Sequence, residues 1–219
     1  MDVRRIRRGL ETKEIERLAA DGRLEHVGRR EIVPLDGPTL AVVVAGYFRI
    51  FRHAAFVRDV TLGLAGRGDV LAPGAAFGDR SAETGAEALC DARLLRLSSD
   101  AWQTHAERDP EINLKLAAAI ARRITRLQKK LEEISRVGVE GRVASALLDL
   151  AADFGVTAAD TIRLDVPLSQ DDLASLAGTT RETCSSAVAK FARRGLVRGG
   201  RLNGMLVLDV PGLQALTQT

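Results

Sequence analysis

Short apolar runs separated by glycine-containing turns fill the stretch from about Val27 to Ser98. The run AVVVAGYFRIF mixes β-branched and aromatic residues around one glycine, which is typical of a strand, a turn and a second strand. Apolar residues then alternate with polar ones up to a glycine-rich turn at 66–69, and a last run ends near Ser98. Strands of this length at regular spacing predict an antiparallel barrel or roll.

A different pattern follows Asp109 and Pro110, which suit the cap and the first turn of a helix. No proline or glycine interrupts the next segment until Gly138, which predicts one helix of about 25 residues. Its narrow apolar seam consists of Ile112, Leu116, Ile120, Ile124, Leu127, Leu131 and Ile134. A long helix with so narrow a seam typically pairs with a copy of itself, so we expect a homodimer; packing on its own domain is the alternative.

Beyond Gly138 the chain changes to shorter elements. RVASALLDLAADFG predicts a helix that ends near Gly155, and TIRLDVPLS predicts a short strand. The segment 169–195 has the pattern of two short helices joined at Gly178, where a tight turn needs a residue that adopts positive φ freely. The following GLVRGGRLNGMLVLDV predicts a hairpin with Gly204 near its turn.

Both short helices carry start signals. Ser169 and Asp172 have the spacing of a capping box on the first helix. Thr179 or Thr180 caps the second helix, and Glu182 is near enough to complete another box. The predicted inward face of the second helix comprises Ala187, Val188, Phe191 and Ala192. The two helices therefore predict a helix-turn-helix, to which the hairpin adds a wing.

The charge distribution singles out the same region. The chain as a whole carries a net charge of only +3. Between positions 181 and 201, however, six basic residues accompany a single acid, Glu182. A basic stripe on a nearly neutral chain is typical of a surface that binds phosphates. A solvated helix face has the same appearance, so the stripe indicates DNA only in combination with the two helices.

A helix that enters the major groove brings its first turn to the base edges. Arg181 can donate two hydrogen bonds to guanine, and Glu182 can accept one from cytosine, since its carboxylate would be repelled by a phosphate. Hydroxyl groups and further cations can hold phosphates and set the register. The predicted DNA-binding residues are Ser169, Thr179, Thr180, Arg181, Glu182, Ser185, Ser186, Lys190, Arg198 and Arg201.

Composition argues against several other classes of protein. Hydrophobic residues make up 46% of the chain and charged residues 28%, and no apolar run reaches the roughly 18 residues of a membrane span, so we expect a globular protein without a membrane segment. The charged N-terminus lacks the apolar core of a secretory signal, and the two cysteines form no ligand cluster, which favours a cytoplasmic protein with reduced thiols. We find no catalytic triad, phosphate loop or paired histidines that would indicate an enzyme.

The chain resembles the cyclic-AMP receptor and fumarate-nitrate regulator (CRP/FNR) family of bacterial transcription factors over nearly its whole length. The most specific pieces are LSQDDLASLAGTTRETCSSAVAKFARRGLV and the GDV, RSA and LLRL pieces of the roll. The resemblance implies an α+β protein with an antiparallel β-roll sensor domain over 1–108, similar to cyclic-nucleotide-binding domains. It further implies a dimerisation helix over 109–138 and a winged helix-turn-helix over 139–219. Ser186 occupies the position at which several members have arginine, so the identity of one base pair in each half-site is not predicted.

The sensor half departs from the members that bind cyclic nucleotide. Those members carry a Gly-Glu pair whose carboxylate holds the ribose, and Ala72 and Pro73 replace it here. Arg80 and Ser81 remain candidates for the phosphate pocket. Loss of the ribose carboxylate removes about 1.5–3 kcal/mol of binding, so we expect regulation without cyclic AMP and without a cofactor. The ending LVLDVPGLQAL resembles a branch of smaller activators that work without a nucleotide; a cyclic-nucleotide-dependent regulator is the alternative.

The sequence gives little support for the other kinds of sensor domain in the family. An iron–sulfur sensor needs a cluster of N-terminal cysteines, which this chain lacks. His26, His53 and His105 are scattered, as expected for ordinary surface or half-buried histidines rather than for haem ligands. Cys184 either makes DNA binding redox-sensitive or packs as a small side chain between helices.

The sequence therefore predicts a homodimeric, sequence-specific regulator of transcription that binds pseudo-palindromic double-stranded DNA, with an activator as the expectation. The family resemblance adds RNA polymerase as a partner. The rival hypothesis is a small-molecule sensor whose C-terminal helices dock onto another protein.

Overall fold

The computed structural model describes residues 9–35, 39–52, 59–77, 84–158, 161–199 and 204–218. They fold into two compact units, one within Met1–Arg126 and one within Leu127–Thr219. The predicted strands, long helix and short C-terminal helices are all present, which confirms the α+β architecture. No helix of the described residues is long and apolar enough to cross a membrane.

The described part of the first unit contains two antiparallel four-stranded sheets, two complete α-helices, one 3₁₀ helix and most of a third α-helix. Its elements are α1 (Thr12–Leu18), β1 (Arg23–Val27), β2 (Ile32–Pro34), β3 (Thr39–Ala45), β4 (Phe48–Arg52), β5 (Val60–Ala65), β6 (Val70–Leu71), a 3₁₀ helix (Pro73–Phe77), β7 (Thr84–Ala88), β8 (Ala92–Ser98), α2 (Ser99–Arg108) and most of α3 (Pro110–Arg136). The strand orders are β1-β8-β3-β6 and β2-β7-β4-β5. The predicted antiparallel roll is thus confirmed.

Strands β3 and β8 lie at the centre of one sheet and are buried on both faces. Leu40 and Val42 of β3 pack with Trp102 of α2, whereas the alternate residues Ala41 and Val43 belong to a second cluster with the other sheet. Burial on both faces explains why β3 is a continuous apolar run and why β8 has the adjacent buried residues Leu94 and Leu95 instead of a simple alternation. Each fully buried Leu or Val side chain contributes roughly 1.5–3 kcal/mol.

The beginning of the long helix belongs to the core of the first unit. Ile112 and Leu116 are each 1% exposed and lie in the same cluster as Trp102 and Leu18, and Ile120 packs against that cluster. Beside them Lys115 Nζ donates to Glu14 Oε1 at 2.7 Å, which joins α3 to α1. The prediction that Ile112 and Leu116 form a dimer interface is therefore wrong, because α1 and α2 of their own chain cover them.

The rest of the seam has a different environment. Ile124, Leu131 and Ile134 are 51%, 70% and 57% exposed in the single chain, and Leu127 is half-buried. The division between the compact units falls after Arg126, inside α3, whereas the sequence suggests a separate helical segment over 109–138.

The second unit begins with the last turns of α3. Its further elements are α4 (Val139–Phe154), β9 (Gly155–Ala158), β10 (Thr161–Leu164), α5 (Gln170–Leu176), α6 (Arg181–Arg193), β11 (Val197–Arg198), β12 (Met205–Val207) and α7 (Val210–Leu216). The four strands form one antiparallel sheet in the order β11-β12-β10-β9. Val197 pairs with Val207, and Gly204 has a φ of +82°, which confirms the predicted hairpin next to the two short helices.

Candidate nucleic-acid interface

Helices α5 and α6 are joined by the predicted tight turn. Ser169 and Asp172 form the expected capping box, in which Ser169 Oγ accepts from the Asp172 amide at 3.1 Å. Gly178 has a φ of +61°, in the left-handed region that glycine adopts without strain. Thr180 is the N-cap of α6, since its Oγ1 accepts from the Thr183 amide at 3.3 Å. Glu182 does not complete a second box, because Thr183 occupies the position that a box requires.

One face of α6 anchors it in the second unit and the opposite face is open. Cys184, Ala187, Val188 and Phe191 are buried. Ala192 is exposed, so its predicted place on the inward face is wrong, and Cys184 is the fourth buried member of that face instead. The exposed side chains of α6 include Arg181, Glu182, Thr183, Ser186 and Lys190. Most of the predicted DNA-binding residues of this helix therefore share one accessible surface, while Ser185 is half-buried beside Gln170.

Two of the predicted cations have acidic partners within the chain. Arg181 Nη1 lies 3.5 Å from Asp171 Oδ2, and both side chains are about 60% exposed. Lys190 Nζ forms an ion pair with Glu140 Oε1 at the beginning of α4. Exposed pairs of this kind contribute roughly 0–1 kcal/mol, so phosphates or bases can displace the carboxylates. Arg198 is exposed on β11, and Arg201 lies outside the described residues.

An open groove runs along α6 on the side that faces the start of α4. The residues lining it from α6 are Thr183, Ser186, Ala187 and Lys190, and those from α4 and its approach are Gly138, Val139, Glu140 and Gly141, with Leu216 of α7. The flank of α6 is thus bordered by hydroxyl groups, one cation and one carboxylate. The other flank, with Arg181 and Ser185, borders Gln170 and Asp171 of α5.

Arg142 of α4 holds the turn between α5 and α6. Its guanidinium donates to the carbonyl oxygens of Val137 at 2.9 Å and Ala177 at 3.1 Å, with a longer contact to Gly178 at 3.4 Å. Val137 follows the end of α3 and Ala177 is the C-cap of α5, so one side chain satisfies carbonyls at two helix ends. Neither the residue nor its role was apparent from the sequence, since its partners are backbone atoms far along the chain.

Cys184 lies wholly inside the second unit, with 0% exposure. Burial raises the pKa of its thiol to about 11, so the reactive thiolate is scarcely populated at neutral pH. Of the two interpretations of Cys184, its burial favours a small packing side chain over redox-sensitive DNA binding.

The predicted nucleotide pocket is described only in part, because Arg80 and Ser81 lie outside the described residues. Ala72 has a φ of +51°, in the left-handed region, and Pro73, which has no carboxylate, starts the 3₁₀ helix. Nearby, Arg122 and Arg123 of α3 line a pocket with Leu62 and other apolar residues of the roll. Burial lowers the pKa of Arg123, and neither arginine has a hydrogen-bond or ion-pair partner among the described residues.

The histidines have the ordinary environments expected of them where they are described. His26 is exposed, and His105 is half-buried with Nε2 at 2.9 Å from Asp21 Oδ2. His53 lies outside the described residues. Within the described part of the chain, no group of three or more His, Cys, Asp or Glu side chains is arranged to hold a metal ion.

A capped helix with an exposed polar first turn, a glycine turn and an adjoining hairpin define a winged helix-turn-helix. Residues 141–216 match the model of the Crp-like helix-turn-helix domain. The chain is 32% identical over 172 residues to the CRP-like cAMP-activated global transcriptional regulator of Mycobacterium tuberculosis. The aligned residues cover 78% of this chain and 75% of that protein. The chain is also 32% identical over 164 residues to the cyclic AMP receptor protein of Thermus thermophilus, with 75% and 73% covered.

Among solved structures, a variant of CooA from Carboxydothermus hydrogenoformans has the same fold. The TM-score is 0.75 at 19% identity, and the match covers 91% of this chain and 89% of that chain. Together with the two relatives, these findings show that the chain belongs to the CRP/FNR family of DNA-binding transcriptional regulators.

Proposed function

We propose that the protein is a homodimeric transcription activator that reads a pseudo-palindromic promoter site with the first turn of α6. The observation that carries the proposal is the exposure of Arg181 and Glu182 at the start of a helix fixed by the Thr180 cap and by the buried Phe191. A helix anchored on one face and polar on the other can enter the major groove with its N-terminal residues at the base edges.

The residues of this surface have separate roles in the proposal. Arg181 donates two hydrogen bonds to guanine and Glu182 accepts one from cytosine, each worth about 1–3 kcal/mol of discrimination. Ser185 and Ser186 lie near the neighbouring base edges. The residues assigned to phosphates, which set the register without reading sequence, are Ser169, Thr179, Thr180, Lys190, Arg198 and Arg201.

The dimer forms along the exposed part of the α3 seam. Ile124, Leu131 and Ile134 are more than half exposed in the single chain. Burial of these three large apolar side chains against a second α3 helix is more favourable than their exposure to water. Ile120 and Leu127 extend the same stripe. A parallel pair of α3 helices would present the two copies of Arg181 about one DNA turn, or roughly 34 Å, apart.

Sequence-specific binding proceeds without cyclic nucleotide in this proposal. Pro73 lacks both the carboxylate that would hold a ribose and a free amide hydrogen, so a strong contact to the nucleotide is lost. The alternative is a regulator that depends on a cyclic nucleotide. Arg122, Arg123 and Arg126 of α3, which line the pocket beside the roll, favour an anionic ligand, and the Mycobacterium relative is by its name cAMP-activated. A promoter target further implies the bacterial cytoplasm and RNA polymerase as a partner.

The test is selection of bound sequences from random duplex DNA with the purified protein, carried out with and without cyclic AMP. We expect an enriched pseudo-palindrome in both arms. Enrichment only in the presence of cyclic AMP would support the nucleotide-dependent alternative. No enrichment in either arm, with affinity that does not fall as salt rises, would instead support the rival function, a sensor that docks onto another protein.

A further inference from the structure

The ion pair between α4 and α6 lies on the flank of the DNA-reading helix. Glu140 is the second residue of α4 and Lys190 is in the last turn of α6, fifty positions further along the chain. Their side chains are 43% and 48% exposed, so water and ions reach both charged groups. Thr183 and Ser186 lie along the same groove.

The carboxylate is on the side from which a phosphate backbone would approach. A recognition helix in the major groove has a sugar–phosphate strand along each flank, and cations and hydroxyls on those flanks contact it. On the α4 flank, Lys190 is the cation and Thr183 supplies a hydroxyl, but Glu140 adds a negative charge at the same place. A phosphate that binds Lys190 must therefore displace Glu140 and remain close to it.

We propose that Glu140 restrains DNA binding by engaging Lys190 in the free protein and by repelling the phosphate backbone in the complex. The restraint acts on all sequences alike, because neither residue reaches a base edge in this arrangement. Glu140 thus lowers the overall affinity and the salt dependence of binding while the base preference stays with Arg181 and Glu182. This inference rests on the proposed function, since it requires DNA on this face of α6.

The test compares Glu140→Gln with the wild-type full chain on a selected duplex and on a scrambled duplex, by fluorescence anisotropy from 50 to 300 mM salt. Glu140→Gln keeps the shape of the side chain and removes its charge. We expect both affinities to rise about two- to fivefold at the lowest salt, since exposed pairs are weak. The slope of log K against log salt should steepen by about 0.9, which corresponds to one further phosphate neutralised.

A matched control and a second variant make the outcome decisive. Glu132→Gln removes a glutamate that also pairs with an arginine, Arg136, but lies on α3 away from the groove. It should leave the slope unchanged. In a Lys190→Met background, Glu140→Gln should gain less affinity than it does in the wild type, because there is no lysine to release. If Glu140→Gln behaves like Glu132→Gln, the inference is overturned.

Failure of the inference can be told apart from failure of the proposed function. If the wild type shows no sequence preference and no salt dependence, DNA binding itself is contradicted. If the wild type binds selectively and Glu140→Gln alters the base preference instead of the overall affinity, only the role of Glu140 is contradicted. Should Glu140→Gln unfold at a lower temperature than the wild type, Glu140→Ser gives the same comparison without the longer side chain.

Discussion

The guanidinium of Arg142 donates through Nε to the carbonyl oxygen of Ala177 at 3.1 Å, and this contact joins α4 to the turn before the recognition helix. A second donor of the same group reaches the carbonyl of Val137. The cation thus lies at the C-terminal ends of both α3 and α5, where helix dipoles favour positive charge. The placement of α6 therefore depends on a residue outside the helix-turn-helix itself.

Replacing Arg142 by lysine should loosen the helix-turn-helix. Lysine keeps the charge but cannot span several carbonyls with a planar fork, so we expect a loss of about 1–3 kcal/mol in local stability. Hydrogen exchange of the α5 and α6 amides measures this as faster exchange. Arg136→Lys is the control, because Arg136 is 76% exposed and its replacement should change little. Equal exchange in the two variants would show that Arg142 does not hold the turn.

The exposed seam of α3 predicts the effect of a charge on dimerisation. Leu131 is 70% exposed in the single chain, so Leu131→Lys should not unfold the protein but should place two charges in the proposed interface. Loss of two buried leucines corresponds to an increase of about a hundredfold or more in the dimer dissociation constant. Sedimentation equilibrium measures this constant. The control Gln128→Lys, at an exposed position beside the seam, should remain dimeric. If Leu131→Lys is also dimeric, the seam is not the dimer interface.

Thiol chemistry should distinguish the two cysteines of the folded chain. Cys90 is partly exposed, whereas Cys184 is buried with its pKa raised to about 11. In the folded protein, a thiol reagent at pH 8 should therefore label only one cysteine per chain rapidly. In the unfolded protein it should label both cysteines rapidly. Cys90→Ser should abolish the rapid phase. Rapid labelling of Cys184 in the native protein would restore the redox hypothesis.

The first unit contains a carboxylate whose titration should affect stability in acid. Burial alone would raise the pKa of Glu87, but hydrogen bonds and charges of Arg30 and Arg49 outweigh it, and the net pKa is lowered. A lowered folded-state pKa stabilises the fold above the unfolded-state value of about 4.5, and this contribution disappears as the pH falls through the folded-state pKa.

The corresponding variant is Glu87→Gln. The difference in free energy of unfolding between the wild type and Glu87→Gln should be largest near pH 7 and should shrink as the pH decreases below about 4.5. Denaturant titrations at several pH values measure it. A difference that stays constant down to pH 3 would mean that the charge of Glu87 does not stabilise the fold.

The success of the sequence prediction differed between local and long-range features. Caps and turns are encoded by residues close together, so the Ser169 box, the Gly178 turn and the end of α4 at Gly155 were all predictable. The periodicity of α3 was equally clear. The sequence did not show what covers Ile112 and Leu116. Local start signals are present, since Ser98 caps α2 and Glu11 and Glu14 form a capping box on α1, but they do not reveal that these helices pack on α3.

The polar contacts of the interface show the same limit. Glu140 and Lys190 are fifty positions apart, so their pairing could not be predicted from local sequence. Arg142 binds backbone carbonyls, which every residue has, so the identity of its partners gives no sequence signal. Cys184 stood one turn before Ala187 and Val188 on the same helix face, so its burial could have been inferred from helical spacing.

The most direct measurement of base reading by α6 is the specificity of Arg181→Ala on the selected site. We would measure the affinities of the wild type and the variant for the selected duplex and for duplexes with one base pair changed at each position of a half-site. Arg198→Ala is the control and should weaken binding to all duplexes alike. We predict that Arg181→Ala loses the discrimination of about 1–3 kcal/mol at one position per half-site and keeps it at the others. An unchanged preference at every position would contradict the assignment of α6 as the reading helix.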